Sequence, residues 1–162
     1  MIRTPRLLLR RATMDDLAAM HCVLSDPRAT LYWSTPPHET VEVTAAWMES
    51  MISSTPEQSE DFIIERDGAV IGKIGAWRLP ELGYIIHPDH WGQGLTTEAL
   101  AAFLDHVARR PDVTHLTADV DPRNAPSIRL LEKYGFYETG RTERTAFTQI
   151  GWCDSVYFRK DF

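Results

Sequence analysis

Two spacings of apolar residues run along the chain, one of period two and one of three to four, and they divide it into strands and helices. Residues 6–10, with Leu7, Leu8 and Leu9 between arginines, predict a first strand. Thr13-Met-Asp-Asp16 predicts a helix start, the threonine hydroxyl capping and Asp16 in the first turn. Leu17, Met20 and Leu24 follow at helical spacing until Asp26-Pro27 ends the run. A second helix is predicted over 39–52, with Val43, Ala46, Trp47 and Met51 on its apolar side. Between the two helices, Leu31 to His38 is aromatic and proline-rich. It reads either as a rigid loop over the core or as a wall of an acceptor-substrate site.

After a polar loop at 53–60, Phe62 to Arg66 and Ala69 to Trp77 flank Asp67-Gly68, the favoured two-residue hairpin turn. Glu81 to Ile86 predicts the next strand. A helix begins at Thr96 or Thr97, with Leu100, Phe103, Leu104 and Val107 on one stripe, and ends at Arg109-Arg110-Pro111. The two arginines suit the negative end of its dipole. Val113 to Val120 alternates as a strand, and a short helix opens at Asn124-Ala-Pro-Ser127 and closes at Gly135, with Phe136 packing back. Residues 137–142 and 153–160 alternate again and predict a final long hairpin. No repeat, low-complexity tract or linker interrupts the pattern. The expectation is one mixed α/β (α+β) domain over 1–162 with a largely antiparallel sheet.

A chain of 162 residues can bury a core without metal or disulfide staples. A hydrophobic fraction of 43% beside 25% charged residues is ordinary for a soluble globular protein. The net charge of −6 argues against a general nucleic-acid binder and suits a cationic amine substrate, although a mild acidic excess is common. Cys22 and Cys153 lie far apart, Leu7 to Leu9 is too short for a secretory core, and no run approaches membrane-spanning length. A cytoplasmic protein with both thiols reduced and no membrane partner is expected.

The chemistry is concentrated in 81–98. A strand ends at His87-Pro88, a Gly-x-Gly loop follows at Gly92 to Gly94, and a helix begins. That order turns backbone N–H groups and a positive helix end toward an anion, most often a phosphate. Glycine keeps side chains from holding the ligand's oxygens off the amides. The loop lacks the third glycine and the later acid of a dinucleotide fingerprint, which disfavours a Rossmann oxidoreductase. His87 and His90 stand three apart with no second ligand pair at a suitable spacing, so no metal site is expected. Glu98, in the first turn, serves the helix dipole.

Trp91-Gly-Gln-Gly-Leu-Thr-Thr-Glu-Ala99 and, about thirty residues later, Asn124-Ala-Pro-Ser-Ile-Arg-Leu-Leu-Glu-Lys-Tyr-Gly-Phe136 together resemble the GNAT superfamily of acyl-CoA-dependent N-acetyltransferases. They are most similar to its RimJ/RimL branch, which the opening Thr4 to Arg10 and the closing Asp154 to Arg159 also fit. The resemblance implies a mixed, mostly antiparallel sheet of about six or seven strands with about four helices, its strands splayed at the cofactor cleft. It implies acetyl-CoA as cosubstrate. Gly92, Gln93, Gly94, Leu95, Thr96 and Thr97 would cradle the pyrophosphate, Ile86 would bond the pantetheine arm, and Asn124 would hold the arm beyond the cleft. Trp91 and Thr96 depart from the superfamily pattern but are usual in this branch. The tyrosine that many members use as general acid falls at Leu131.

Acetyl transfer to an amine needs a base, because an α-amine has a pKa near ~8 and a lysine above ~10. It also needs N–H donors for the developing oxyanion, here near Ile85 and Ile86, and a proton for the departing sulfur. Glu81 is the favoured base, with Asp119, Asp121 and Glu143 in reserve; Glu81 reads equally as a surface strand-end carboxylate. Ser127 is the favoured acid, although it also suits a first-turn cap, and Tyr134 is a weaker candidate. The leading acceptor is a protein N-terminus, followed by a small amine such as an amino acid, polyamine or antibiotic. A non-catalytic acyl-CoA-binding module is the third reading. A monomer or homodimer is expected.

Overall fold

A computed structural model describes residues 1–162. Its eight strands are β1 (Ile2–Arg3), β2 (Leu8–Arg10), β3 (Glu60–Arg66), β4 (Ala69–Arg78), β5 (Glu81–Ile86), β6 (His115–Val120), β7 (Tyr137–Thr148) and β8 (Gly151–Asp161). They form one open sheet in the order β1-β2-β3-β4-β5-β6-β8-β7. Helices α1 (Leu17–Leu24), α2 (Val41–Ser53), α3 (Leu95–Val107) and α4 (Ala125–Lys133) cover it. The strand beyond the expected count is Ile2–Arg3, which lengthens the edge beside β2. Every neighbouring pair is antiparallel except β5 and β6, which run parallel.

The period-two alternation sends neighbours to opposite faces of the sheet. Ile64, Ile74, Leu82 and Ile86 meet Leu100, Phe103, Leu104 and Val107 of α3 on one face, so the expected α3 stripe is fully buried. Ile63 and Ile85 meet Met20, Val23 and Leu24 of α1 and Met48 of α2 on the other. Each such side chain contributes about 1.5–3 kcal/mol on burial. The sheet is therefore held on both faces.

Three expectations shift. In α2 the inward positions are Thr44 and Met48, flanked by Trp47 and Met51, while Val43 is exposed. The face is turned because the buried Thr44 hydroxyl sits between His21 Nδ1 at 2.7 Å and His38 Nδ1 at 2.8 Å. The 13–16 segment forms a 3-10 turn (Met14–Asp16) that runs into α1. The strands of the last hairpin run on beyond the predicted 142 and 153, to Thr148 and back to Gly151. Its sequence hid this because Arg141 to Thr145 is exposed or half-exposed throughout, with no apolar face to alternate.

Candidate active site

The parallel pair is where the sheet comes apart. β5 and β6 share a single register pair, Glu81 with Thr117, and Thr117 N donates to Pro80 O at 2.9 Å. Beyond it β5 stays with β4, pairing Ile86 with Gly72, while β6 stays with β8, pairing Val120 with Val156. The inner edges of both strands are thus left open. Between them lies a cleft of about 740 Å³, within the range of small-molecule sites. Residues 82–86 and 118–120 form its sides, the glycine loop closes one end, and Leu31 to Trp33 reach in from the α1–α2 connection.

Strand phase decides which amides face this cleft. His87 N donates to Ile71 O at 2.8 Å, so Ile85 and His87 turn their backbone toward β4 and Tyr84 and Ile86 turn theirs inward. The Ile86 carbonyl accepts from Trp91 Nε1 at 2.9 Å. What remains at Ile86 is its N–H. Of the two residues expected to supply an oxyanion donor, phase favours Ile86 over Ile85.

At the end of the cleft Gly92 and Gly94 have φ of 71° and 73°. A Cβ on Gly92 would meet nothing within 4 Å and one on Gly94 only Arg6 at 3.7 Å, so left-handed backbone rather than crowding calls for glycine. Gly94 is the N-cap of α3 without a side-chain cap, and the first intrahelical bond is Glu98 N to Gly94 O at 3.0 Å. The amides of Leu95, Thr96 and Thr97 therefore lack helix acceptors, and with the positive helix end they form an anion site.

The loop is braced from outside. Arg6 donates to the Gln93 carbonyl at 2.8 Å and to Glu98 at 2.6 Å, and the Thr4 hydroxyl donates to Glu98 at 2.6 Å. Burial pushes the Glu98 carboxyl up, but these bonds outweigh it and hold it below the usual range. Arg66 donates to Gln93 Oε1 at 2.7 Å. Gln93 is thus turned away from the cleft, unlike the other proposed cofactor residues: Ile86, Gly92, Gly94, Leu95, Thr96, Thr97 and Asn124 all line it. Its place is in the brace.

Residues 6–137 match the acetyltransferase (GNAT) domain family. Over 147 residues the chain is 31% identical to the N-acetyltransferase p20 of Bacillus licheniformis, spanning 85% of this chain and 82% of that one. The chain belongs to the GNAT acetyltransferase family. Its fold superposes with TM-score 0.85 and 18% identity on a Salmonella typhimurium acetyltransferase that modifies the N-terminal serine of ribosomal protein L7/L12. It superposes equally, at TM-score 0.85 and 21% identity, on spermidine N-acetyltransferase from Vibrio cholerae in complex with CoA and spermine. Both comparisons cover 98% of this chain and 96% of the other.

In this GNAT chain Asn124 caps α4, its side chain accepting from Ser127 N at 3.4 Å. Ser127 is not the cap. Its Oγ lies 2.6 Å from the Tyr84 hydroxyl, across the fork. Burial raises the Tyr84 phenol above its ordinary value, an effect the Ser127 bond reduces, so it stays neutral at physiological pH. Sequence reasoning missed Tyr84 because it shares the inward face with Leu82 and Ile86 and looks like core. Leu131 is fully buried and lines the cleft, and Tyr134 bonds the Thr97 carbonyl at 3.4 Å, tying α4 to α3.

The carboxylates separate clearly. Glu81 stands at the apex of the fork, where the strands still pair, and does not line the cleft. It shares a face with Gly83, Ile85 and Thr117, toward α1 and α2. Asp119, two residues past Thr117 on that face, does line the cleft, and its exposed carboxylate has no hydrogen-bond or ion-pair partner. Arg28 and Arg123 also line it, but each is neutralised at 2.7 Å, by Asp26 and by Asp121. Arg123 holds the Asp121 carboxyl below its usual range. Asp121 and Glu143 lie outside the walls. His87 Nδ1 accepts from Asp89 N at 3.2 Å, which caps the turn before Trp91.

The aromatic connection both borders the cleft and packs over the core. Leu31, Tyr32 and Trp33 line the cleft, with the Trp33 ring against Gly83, while His38 is buried and its N–H donates to Leu24 O at 2.9 Å. Below Trp33, Lys73 and Asp61 form an ion pair at 2.8 Å, each at most 3% exposed. The tip of the β7–β8 hairpin leans on the same connection, Gln149 donating to Pro27 O at 3.1 Å.

Proposed function

We propose that the protein transfers the acetyl group of acetyl-CoA to a primary amine, preferentially a protein N-terminal α-amine. The observation that carries this is the single β5–β6 pairing beside an uncapped, glycine-flanked helix end. The amides of Leu95, Thr96 and Thr97 suit a diphosphate, and the open edges of β5 and β6 suit an extended amide-bearing arm that adds strand-like hydrogen bonds. Ile86 N–H suits the oxyanion. Glu81, at the apex on the face turned toward α1 and α2, takes the amine proton through water, and Asp119 attracts the ammonium before that loss. Ser127 protonates the sulfur. Holding both reactants in one cleft supplies much of the rate, and no covalent enzyme intermediate is needed.

A polypeptide acceptor is favoured by the apolar rim beside the cleft. Leu31 and Tyr32 are partly exposed, and the hairpin tip carries Phe147 and Trp152, rings 5.5 Å apart and mostly exposed. A second reading, a small polyamine or amino acid, is favoured by the carboxylate of Asp119 in a cleft that Tyr32 and Trp33 also line, groups that attract cations. The purified protein with acetyl-CoA is to be offered free-N-terminus peptides, polyamines and amino acids, with thiol release and product mass followed. Acetylated peptide α-amines at the highest kcat/KM are expected. Turnover confined to small amines supports the second reading. CoA binding without thiol release from any acceptor would leave only a binding module.

A further inference from the structure

The Tyr84–Ser127 pair has a direction. Each hydroxyl carries one proton, and at 2.6 Å only one of them is shared between the oxygens. If Ser127 donates to Tyr84, its proton is spent on the phenol. If Tyr84 donates, the Ser127 proton is free to turn into the cleft that both residues line. A phenol, with a pKa near ~10, is a far stronger acid than an aliphatic alcohol and is the better donor of the two. We propose that Tyr84 is a positioning residue that donates to Ser127 Oγ and thereby aims the Ser127 proton at the departing thiolate. This rests on the acetyltransferase reading above.

The amine nitrogen forms the C–N bond, and the C–S bond breaks with its electron pair on sulfur. Sulfur takes the Ser127 proton as Oγ takes the phenolic proton of Tyr84; the amine proton passes through water to Glu81, and Tyr84 is reprotonated from solvent as Glu81 returns its proton there. Serine alone is too weak an acid for this; a phenol behind it lowers the demand. Tyr84 sits on β5 and Ser127 on α4, so the bond spans the fork, and a role in pinning α4 must be told apart from a role in proton delivery.

Tyr84→Phe keeps the ring that packs against the core and removes only the hydroxyl. The expected result is a kcat lower by about tenfold or more, with KM for acetyl-CoA and Kd for CoA within about twofold of the parent. Ser127→Ala is expected to lose at least as much, and the Tyr84→Phe, Ser127→Ala double variant no more than Ser127→Ala alone. Unchanged kcat in Tyr84→Phe, multiplying losses in the double variant, or CoA affinity falling in step with kcat would overturn the proposal. Should the parent protein acetylate no amine, the functional reading fails first. The pair is then tested by the alkaline absorbance titration of tyrosine. Removal of Ser127 raises the titration point of one tyrosine if the bond exists, and an unchanged titration removes the pair itself.

Discussion

Replacing Gly94 by alanine isolates the part of the loop that backbone conformation alone creates. The added Cβ meets only Arg6, at 3.7 Å, so the change brings no collision. Its cost is the left-handed φ of 73°, about 1–2 kcal/mol for a residue with a side chain. Two limits bound the outcome. If the loop keeps its shape, the folded state carries the whole strain, and a chain of this size loses roughly 2–4 °C in Tm per kcal/mol, or about 2–8 °C. If the loop relaxes in the free protein, Tm holds and the strain appears on binding, weakening CoA by about 5- to 30-fold. Thermal unfolding with and without CoA, together with calorimetric Kd, measures both shares, and their sum should be about 1–2 kcal/mol. Gly94→Asn, which tolerates the left-handed region, should recover much of either loss. Gly94→Ala with unchanged Tm and unchanged CoA affinity would refute the argument.

Further outcomes follow from the carboxylates and the buried pairs. Glu81→Gln should lower kcat by about 100-fold or more and leave Kd for CoA unchanged, whereas Asp119→Asn should chiefly raise KM for the amine. The reverse pattern in steady-state kinetics would exchange their roles. Asp16, pushed up by burial but held lower overall by the Arg10 bonds at 2.7 and 2.9 Å and by Thr13 N–H, stabilises the fold above its unfolded pKa and loses that effect as pH falls through the lower folded value. Asp16→Asn should therefore cost about 1–3 kcal/mol at pH 7, a gap that closes below about pH 4 in denaturant titrations. A constant gap down to pH 2 would contradict it. Lys73→Met strands the Asp61 carboxylate and should cost about 3–5 kcal/mol by chemical denaturation, and adding Asp61→Leu should recover part of it. A single-variant loss below about 1 kcal/mol would show that the pair is relieved by solvent.

Much of the site was legible in the chain because it is built from backbone. Gly92 and Gly94 before an apolar stripe specify a left-handed loop and an uncapped helix end, and both are local properties of 91–107. Asn124, Pro126 and Gly135 mark the ends of α4 in the same local way. The side-chain chemistry was less legible because it depends on where two strands stop pairing. Nothing in Glu81 to Ile86 says that only its first residue meets β6, and that fact separates Glu81 at the apex from Asp119 in the wall. Tyr84 was invisible for a related reason. Its partner is on α4, 43 positions away, and an inward aromatic in a strand has the same local pattern with or without such a partner. The rotated face of α2 belongs to this class too, since the Thr44 hydroxyl is drawn inward by two histidines outside the helix.

The most direct test of the account is a titration of coenzyme A into the folded protein by isothermal calorimetry at two temperatures. The account predicts a saturable heat for one site per chain at one temperature or both, with whatever affinity Gly94→Ala loses largely restored by Gly94→Asn. Absence of any binding heat at both temperatures, from protein shown to be folded, would contradict it.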